Sequence, residues 1–111
     1  MTMDVLRQLA ATIAERRKAA ADKSYTRSLL DGGPEKCAKK FGEEAAEMLI
    51  AGVAQDDTAL KGEAADVLYH LLVLLEVRGV SLDDVYQVLA DRMRMSGLEE
   101  KAMRKQDFRP E

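Results

Sequence analysis

A chain of 111 residues with 47% hydrophobic and 33% charged side chains has the make-up of one small folded domain with a modest core. Seventeen Lys and Arg against twenty Asp and Glu leave no basic field to hold a nucleic-acid backbone. The longest uncharged run of the central region, Val67 to Leu75, falls far short of the roughly 20 apolar residues of a membrane span, and the N-terminus, with Asp4, Arg7 and Glu15, has no apolar signal region. The expectation is a cytoplasmic protein without nucleic-acid or membrane partners. Its single cysteine, Cys37, can form no internal disulfide and no zinc cluster, and reads as a small core residue.

In chain order the periodicity is helical nearly throughout, with no internal repeat. Leu6, Leu9, Ala10 and Ile13 recur at i, i+3, i+4 and i+7 and predict a first helix over about residues 3 to 20. Asp22 to Leu30, containing KSYTRSLL, is a connection or a short helix. Gly32-Gly33-Pro34 then marks a boundary, because glycine accepts the left-handed exit conformation and proline is preorganised for a first helical turn. A second long helix is predicted from Pro34 to about Ala54. Asp56-Asp57-Thr58 offers acceptors to the free N–H groups of the next helix, which should run to Arg78-Gly79. Ser81-Leu82-Asp83-Asp84 is a start signal for another helix, with Leu82, Val85, Tyr86, Leu89 and Met93 on one face. The polar tail from Gly97 is expected to be only partly ordered. The class is all-α, a bundle of about four to five helices in one domain, 1–111, built around an antiparallel helical hairpin.

Carboxylates stand where the apolar seams of that hairpin should continue. At 100° per residue, Cys37, Phe41, Ala45 and Met48 form the stripe of one helix, and Glu44 falls inside it with Glu47 at its edge. In the following helix Leu60, Val67, Leu71 and Leu74 make the stripe, with Glu63 on its margin and Asp66 beyond it. The turn is centred near Asp56, so Glu44 and Glu47 lie twelve and nine residues before it, and Glu63 and Asp66 seven and ten after. At about 1.5 Å rise per residue both pairs reach similar heights, roughly 10 to 18 Å from the turn, and can face each other. Four carboxylates on a partly apolar face repel and are desolvated, so a cation must compensate. An oxygen-only donor set suits Mg²⁺, or Mn²⁺, better than zinc. Glu43 points away from the stripe and reads as a surface residue; simple i, i+4 pairs such as Lys39 with Glu43, or Lys40 with Glu44, are the bland alternative.

The pattern Glu43-Glu44-x-x-Glu47, then Glu63-x-x-Asp66, resembles the E-E-x-x-E…E-x-x-D signature of the all-α, MazG-type nucleotide pyrophosphohydrolases. More of the chain, KSYTRSLLDGG, EKCAKKFGEEAAE, GEAADVLYHLLVLLEVRGVSLDDV and SGLEEKA, is similar to one branch of them, the phosphoribosyl-ATP pyrophosphohydrolases of histidine biosynthesis. Cys37 and Phe41 stand where aliphatic residues are expected. The resemblance implies Mg²⁺-dependent hydrolysis of N1-(5-phosphoribosyl)-ATP to phosphoribosyl-AMP and pyrophosphate, ATP-type nucleotide binding, and a homodimer or larger assembly. Carried over residue by residue, it makes Glu44, Glu47, Glu63 and Asp66 the metal ligands. Either Glu47 or Glu44 would accept the proton of the attacking water.

Lys36, Lys39 and Lys40 are candidates to meet the triphosphate, against a solvated lysine face; no Gly-rich phosphate loop is present. His70, i+4 from Asp66, is either a support to the carboxylates, a phosphate contact, or a satisfied histidine at the core edge. Ser24, Tyr25 and Thr26 lie in a matching stretch and are candidates to line the substrate site. Two alternatives remain: a house-cleaning pyrophosphohydrolase of ordinary or damaged (d)NTPs with the same metal site, and a non-catalytic helical module that binds a partner through its apolar faces.

Overall fold

The computed structural model describes residues 4–19, 24–95 and 104. Five helices follow one another: α1 (Val5–Lys18), α2 (Tyr25–Asp31), α3 (Gly33–Ala54), α4 (Asp57–Arg78) and α5 (Leu82–Met93). No strand occurs among the described residues, as an all-α class requires. The tail from residue 97, apart from Arg104, lies outside them.

Four of the five helices, all but α3, begin where a short polar side chain satisfies one of the first free N–H groups. Asp4 accepts from the Arg7 backbone N–H at 2.8 Å, Ser24 from Arg27 at 3.1 Å, Asp56 from Ala59 at 2.9 Å and Ser81 from Asp84 at 3.1 Å. The segment left open between a connection and a short helix is therefore a helix, started by Ser24. Between α2 and α3 the chain turns at Gly33, whose φ of 85° lies where only glycine enters cheaply, and Pro34 opens the next helix. At the end of α4, Gly79 takes φ 72°; the Val80 N–H donates to the Leu75 carbonyl at 2.9 Å and the Gly79 N–H to Glu76 at 3.0 Å. That pair of bonds closes the helix in a Schellman motif.

The hairpin of α3 and α4 is the most extensive helix pairing, and α1 and α2 pack on it. Ile13, Leu29, Leu30, Cys37, Leu72 and Val73 form the buried core, with Leu6, Leu9, Ala10, Tyr69 and Leu75 among the residues packed around it. This differs from the predicted stripe of α4. Leu60, Val67, Leu71 and Leu74 are only half-buried, whereas Leu72, Val73 and His70 are the buried residues. The reason is that α4 is covered from several sides, by α3, α1 and α2. A helix touched on more than one side has no single apolar stripe to read.

Cys37 fills the core place expected of it. Its thiol donates to the Leu29 carbonyl at 3.2 Å, and burial pushes its pKa up.

Candidate metal centre

The mid-section of the hairpin carries the carboxylates. Because α3 and α4 run antiparallel from the Asp56 turn, residues at comparable distance from it face each other, and Glu44 of α3 meets Glu63 and Asp66 of α4. Each of the three offers one oxygen, and these atoms all lie within 4.8 Å of one another. Glu47, one helical turn on from Glu44, is near enough for its charge to act on both Glu44 and Glu63. The four carboxylates that the spacing singled out thus share one patch of the hairpin.

The Glu44 side chain is 16% exposed. Burial first, then the neighbouring Glu47 and Asp66 charges, hold its carboxyl above the ordinary value of 4.5, with Lys40 acting in the opposite sense. Glu63 is raised in the same way, by burial and then by Glu47 and Asp66. One of its oxygens, Oε2, is buried without a hydrogen-bond partner among the described residues. Two carboxyls raised by burial and like charge, with a buried oxygen that has no partner among the described residues, fit a site for a positive charge. An oxygen donor set of this kind fits a hard divalent cation.

Glu43 is exposed and sits 3.9 Å from Lys40, a surface i, i+3 pair. Its separation from the other glutamates follows from the wheel: one residue turns the side chain by 100°, out of the seam. Lys40 is half-buried, and its charge is felt by both Glu44 and His70. Lys36 and Lys39 are exposed on α3, and among the described residues no ion pair joins them to the carboxylates.

His70 is buried, at 5% exposure, with Nε2 3.8 Å from a Glu44 oxygen. That separation is longer than a hydrogen bond. Its Nδ1 is buried with no hydrogen-bond partner among the described residues. Burial, then the Lys40 charge, lower its pKa, against the pull of Asp66. A neutral imidazole beside the carboxylates results.

Ser24 spends its hydroxyl as the cap of α2. Thr26 is buried, its hydroxyl 2.5 Å from that of Tyr69. Tyr25 is the member of this trio that remains open to solvent. Tyr69 is the residue that helical spacing does not single out; only its place between Asp66 and His70, on the run that enters the site, signals it.

Against this geometry, a family model described as Phosphoribosyl-ATP pyrophosphohydrolase matches residues 6–93. Phosphoribosyl-ATP pyrophosphatase 1 of Rhodopseudomonas palustris is 57% identical over 107 residues, covering 96% of this chain and all of that protein. The protein of the same name from Bradyrhizobium diazoefficiens is 55% identical over 101 residues, covering 91% of this chain and 95% of its own. Phosphoribosyl-ATP pyrophosphatase of a Ruegeria species is 54% identical over 102 residues, 92% of this chain and 97% of the relative. With a match that spans most of the described helices and relatives aligned over nearly their whole length, the chain belongs to the phosphoribosyl-ATP pyrophosphohydrolase family.

Proposed function

We propose that the protein hydrolyses phosphoribosyl-ATP to phosphoribosyl-AMP and pyrophosphate, the second step of histidine biosynthesis, with Mg²⁺ held by Glu44, Glu63 and Asp66. The observation that carries this is the convergence of three carboxylate oxygens within 4.8 Å on one face of the α3–α4 hairpin, in a chain of this family. When bound, a divalent cation neutralises charge on the phosphate oxygens, which is the main need of phosphoryl transfer. Glu44, Glu63 and Asp66 supply its oxygens. Glu47 stands at the exposed edge of the group, outside the convergent three, and takes the proton of the water that attacks the anhydride between the α- and β-phosphates. The water oxygen bonds to the α-phosphorus and pyrophosphate leaves. Lys40, close enough to influence Glu44 and His70, offers an ammonium to phosphate oxygens on the same side.

The same proposal includes a homodimer or larger assembly in the cytoplasm. Leu49, Ile50 and Val53 are exposed along the outer face of α3, Val53 to 91%, and Leu68 of α4 is exposed as well. A second copy of this chain is the occupant that covers them, since an apolar row on α3, with Leu68 of α4, suits packing of one hairpin against another. None of the described helices is long and apolar enough to cross a membrane.

The test is release of pyrophosphate from phosphoribosyl-ATP, and from a panel of dNTPs, with and without Mg²⁺. Mg²⁺-dependent release from phosphoribosyl-ATP is expected. Preference for a dNTP would leave the metal site and overturn the substrate; no release from any of them would overturn the enzyme.

A further inference from the structure

Beside the carboxylates, two helices build a corner of three rings. The ring of Tyr25 on α2 lies 6.4 Å from that of Tyr69 and 19° from parallel, and it meets His70 edge-on at 6.3 Å and 87°. Tyr69 and His70, adjacent on α4, meet edge-on at 5.0 Å and 80°. These separations are within the range of favourable aromatic pairs. Tyr69 is held in place, because its hydroxyl and the buried Thr26 hydroxyl are 2.5 Å apart and tie α2 to α4. His70 in turn stands 3.8 Å from Glu44, so the corner adjoins the carboxylate group. Yet Tyr25, braced in this way, is 57% exposed. A braced aromatic ring left open beside a phosphate-processing centre offers a stacking surface for a planar base.

Charge decides which base gains most from it. The adenine of ATP is neutral at pH 7. Alkylation at N1 uses that nitrogen's lone pair, so the six-membered ring carries a positive charge until the exocyclic amine gives up a proton. The negative face of a tyrosine ring attracts a cation beyond the area it covers. Of the neighbouring groups, the carboxyl side chains of Glu44, Glu47 and Asp66 favour a cation, whereas the Lys40 ammonium, 3.9 Å from Glu43 and felt at His70, opposes it.

We propose that Tyr25 is the platform on which the N1-alkylated, positively charged purine stacks, and that its π-face separates this base from the neutral adenine of ATP. Tyr69, through Thr26, is the positioning residue that holds the platform beside the metal centre. The proposal rests on the pyrophosphohydrolase function above and adds the element of substrate choice.

Calorimetric titration of the full chain at pH 7 with AMP and with 1-methyladenosine 5′-monophosphate tests it without turnover. The methylated, cationic nucleotide should bind about two- to five-fold more tightly, the ratio that an exposed cation–π contact supplies. Tyr25→Phe should keep the ratio. Tyr25→Leu, apolar but without a π-face, should bring it to one, and should raise KM for phosphoribosyl-ATP by the same factor with kcat unchanged. Equal affinities in the unaltered protein, a preference that survives Tyr25→Leu, or no measurable binding of either nucleotide would overturn the platform. Pyrophosphate release by the same preparations separates the two levels. Release without a Tyr25-dependent preference removes the platform alone, whereas the preference without release supports the platform and removes the pyrophosphohydrolase function.

Discussion

Replacing Glu44 by Gln should make the metal-free protein more stable while depriving it of its response to Mg²⁺. Glu44 shares a space with Glu63 and Asp66 in which the donor oxygens lie within 4.8 Å of one another. A like-charged pair at that distance repels by about 1 kcal/mol in a water-like medium and about 3 kcal/mol at an effective dielectric of about 20. Asp66 and Glu47 are exposed, so solvent reaches the group, and Lys40 offsets part of the repulsion. The lower figure is the appropriate one. A gain of about 1 kcal/mol corresponds to roughly 4 °C in Tm for a chain of this size. Glutamine keeps the shape and hydrogen-bonding capacity of the side chain without its charge.

The pH dependence fixes the sign. Glu44 has a raised folded-state pKa, so the stability it contributes is fully present below the ordinary value of 4.5 and is lost as pH rises through the folded value. Glu44→Gln should therefore match the unaltered protein near pH 4 and exceed it near pH 7.5. His70 has the opposite sign, since its lowered pKa removes stability as pH falls below the ordinary 6.5. That loss is confined to pH below the ordinary 6.5 and so does not enter the comparison at pH 7.5. The assay is thermal unfolding followed by helical circular dichroism, with and without Mg²⁺. Saturation of the unaltered protein at about 100 times Kd should add about 2.7 kcal/mol, and the variant should gain much less. A metal-free variant that melts below the unaltered protein at pH 7.5 would refute the account of charge crowding. An equal Mg²⁺ response in both would remove Glu44 from the metal site.

Glu47→Ala should abolish pyrophosphate release yet keep the helical dichroism and a Mg²⁺-induced rise in Tm; retained turnover would remove Glu47 as proton acceptor. Tyr69→Phe leaves the buried Thr26 hydroxyl without its 2.5 Å partner, and should cost about 1 to 3 kcal/mol in denaturant unfolding. Adding Thr26→Val should restore part of that loss, and an additive double variant would show that the hydroxyl pair contributes nothing. Val53→Glu, placed on the most exposed apolar residue of α3, should shift the protein to monomer in light scattering after gel filtration; an unchanged mass would put the interface elsewhere.

Much of the fold was legible because its signals are local. Asp56 and Ser81 cap the helices they precede, and Gly33 and Gly79 take the positive φ values that glycine permits. These depend on a few neighbouring residues, which a sequence displays directly. The two acidic pairs were legible for a related reason, since a fixed rise per residue and one turn set their heights along the hairpin.

What spacing could not decide is what lies across from each side chain. The side of α4 that is buried depends on α1, α2 and α3 together, so Leu72, Val73 and His70 displaced the single stripe expected from periodicity. Glu44, Glu47, Glu63 and Asp66 stand out in the chain as two pairs, but only packing of α3 on α4 brings three donor oxygens to within 4.8 Å and leaves Glu47 at their edge. The same holds for Tyr25, Thr26, Tyr69 and His70. More than forty residues part Thr26 from Tyr69, and no periodicity relates them. The sequence by itself determined the four longer helices, most of their ends and the carboxylate pattern, because these follow from backbone geometry and neighbouring side chains. The tertiary structure decided the convergence, burial and orientation of the site, because those are set by contacts between helices distant along the chain.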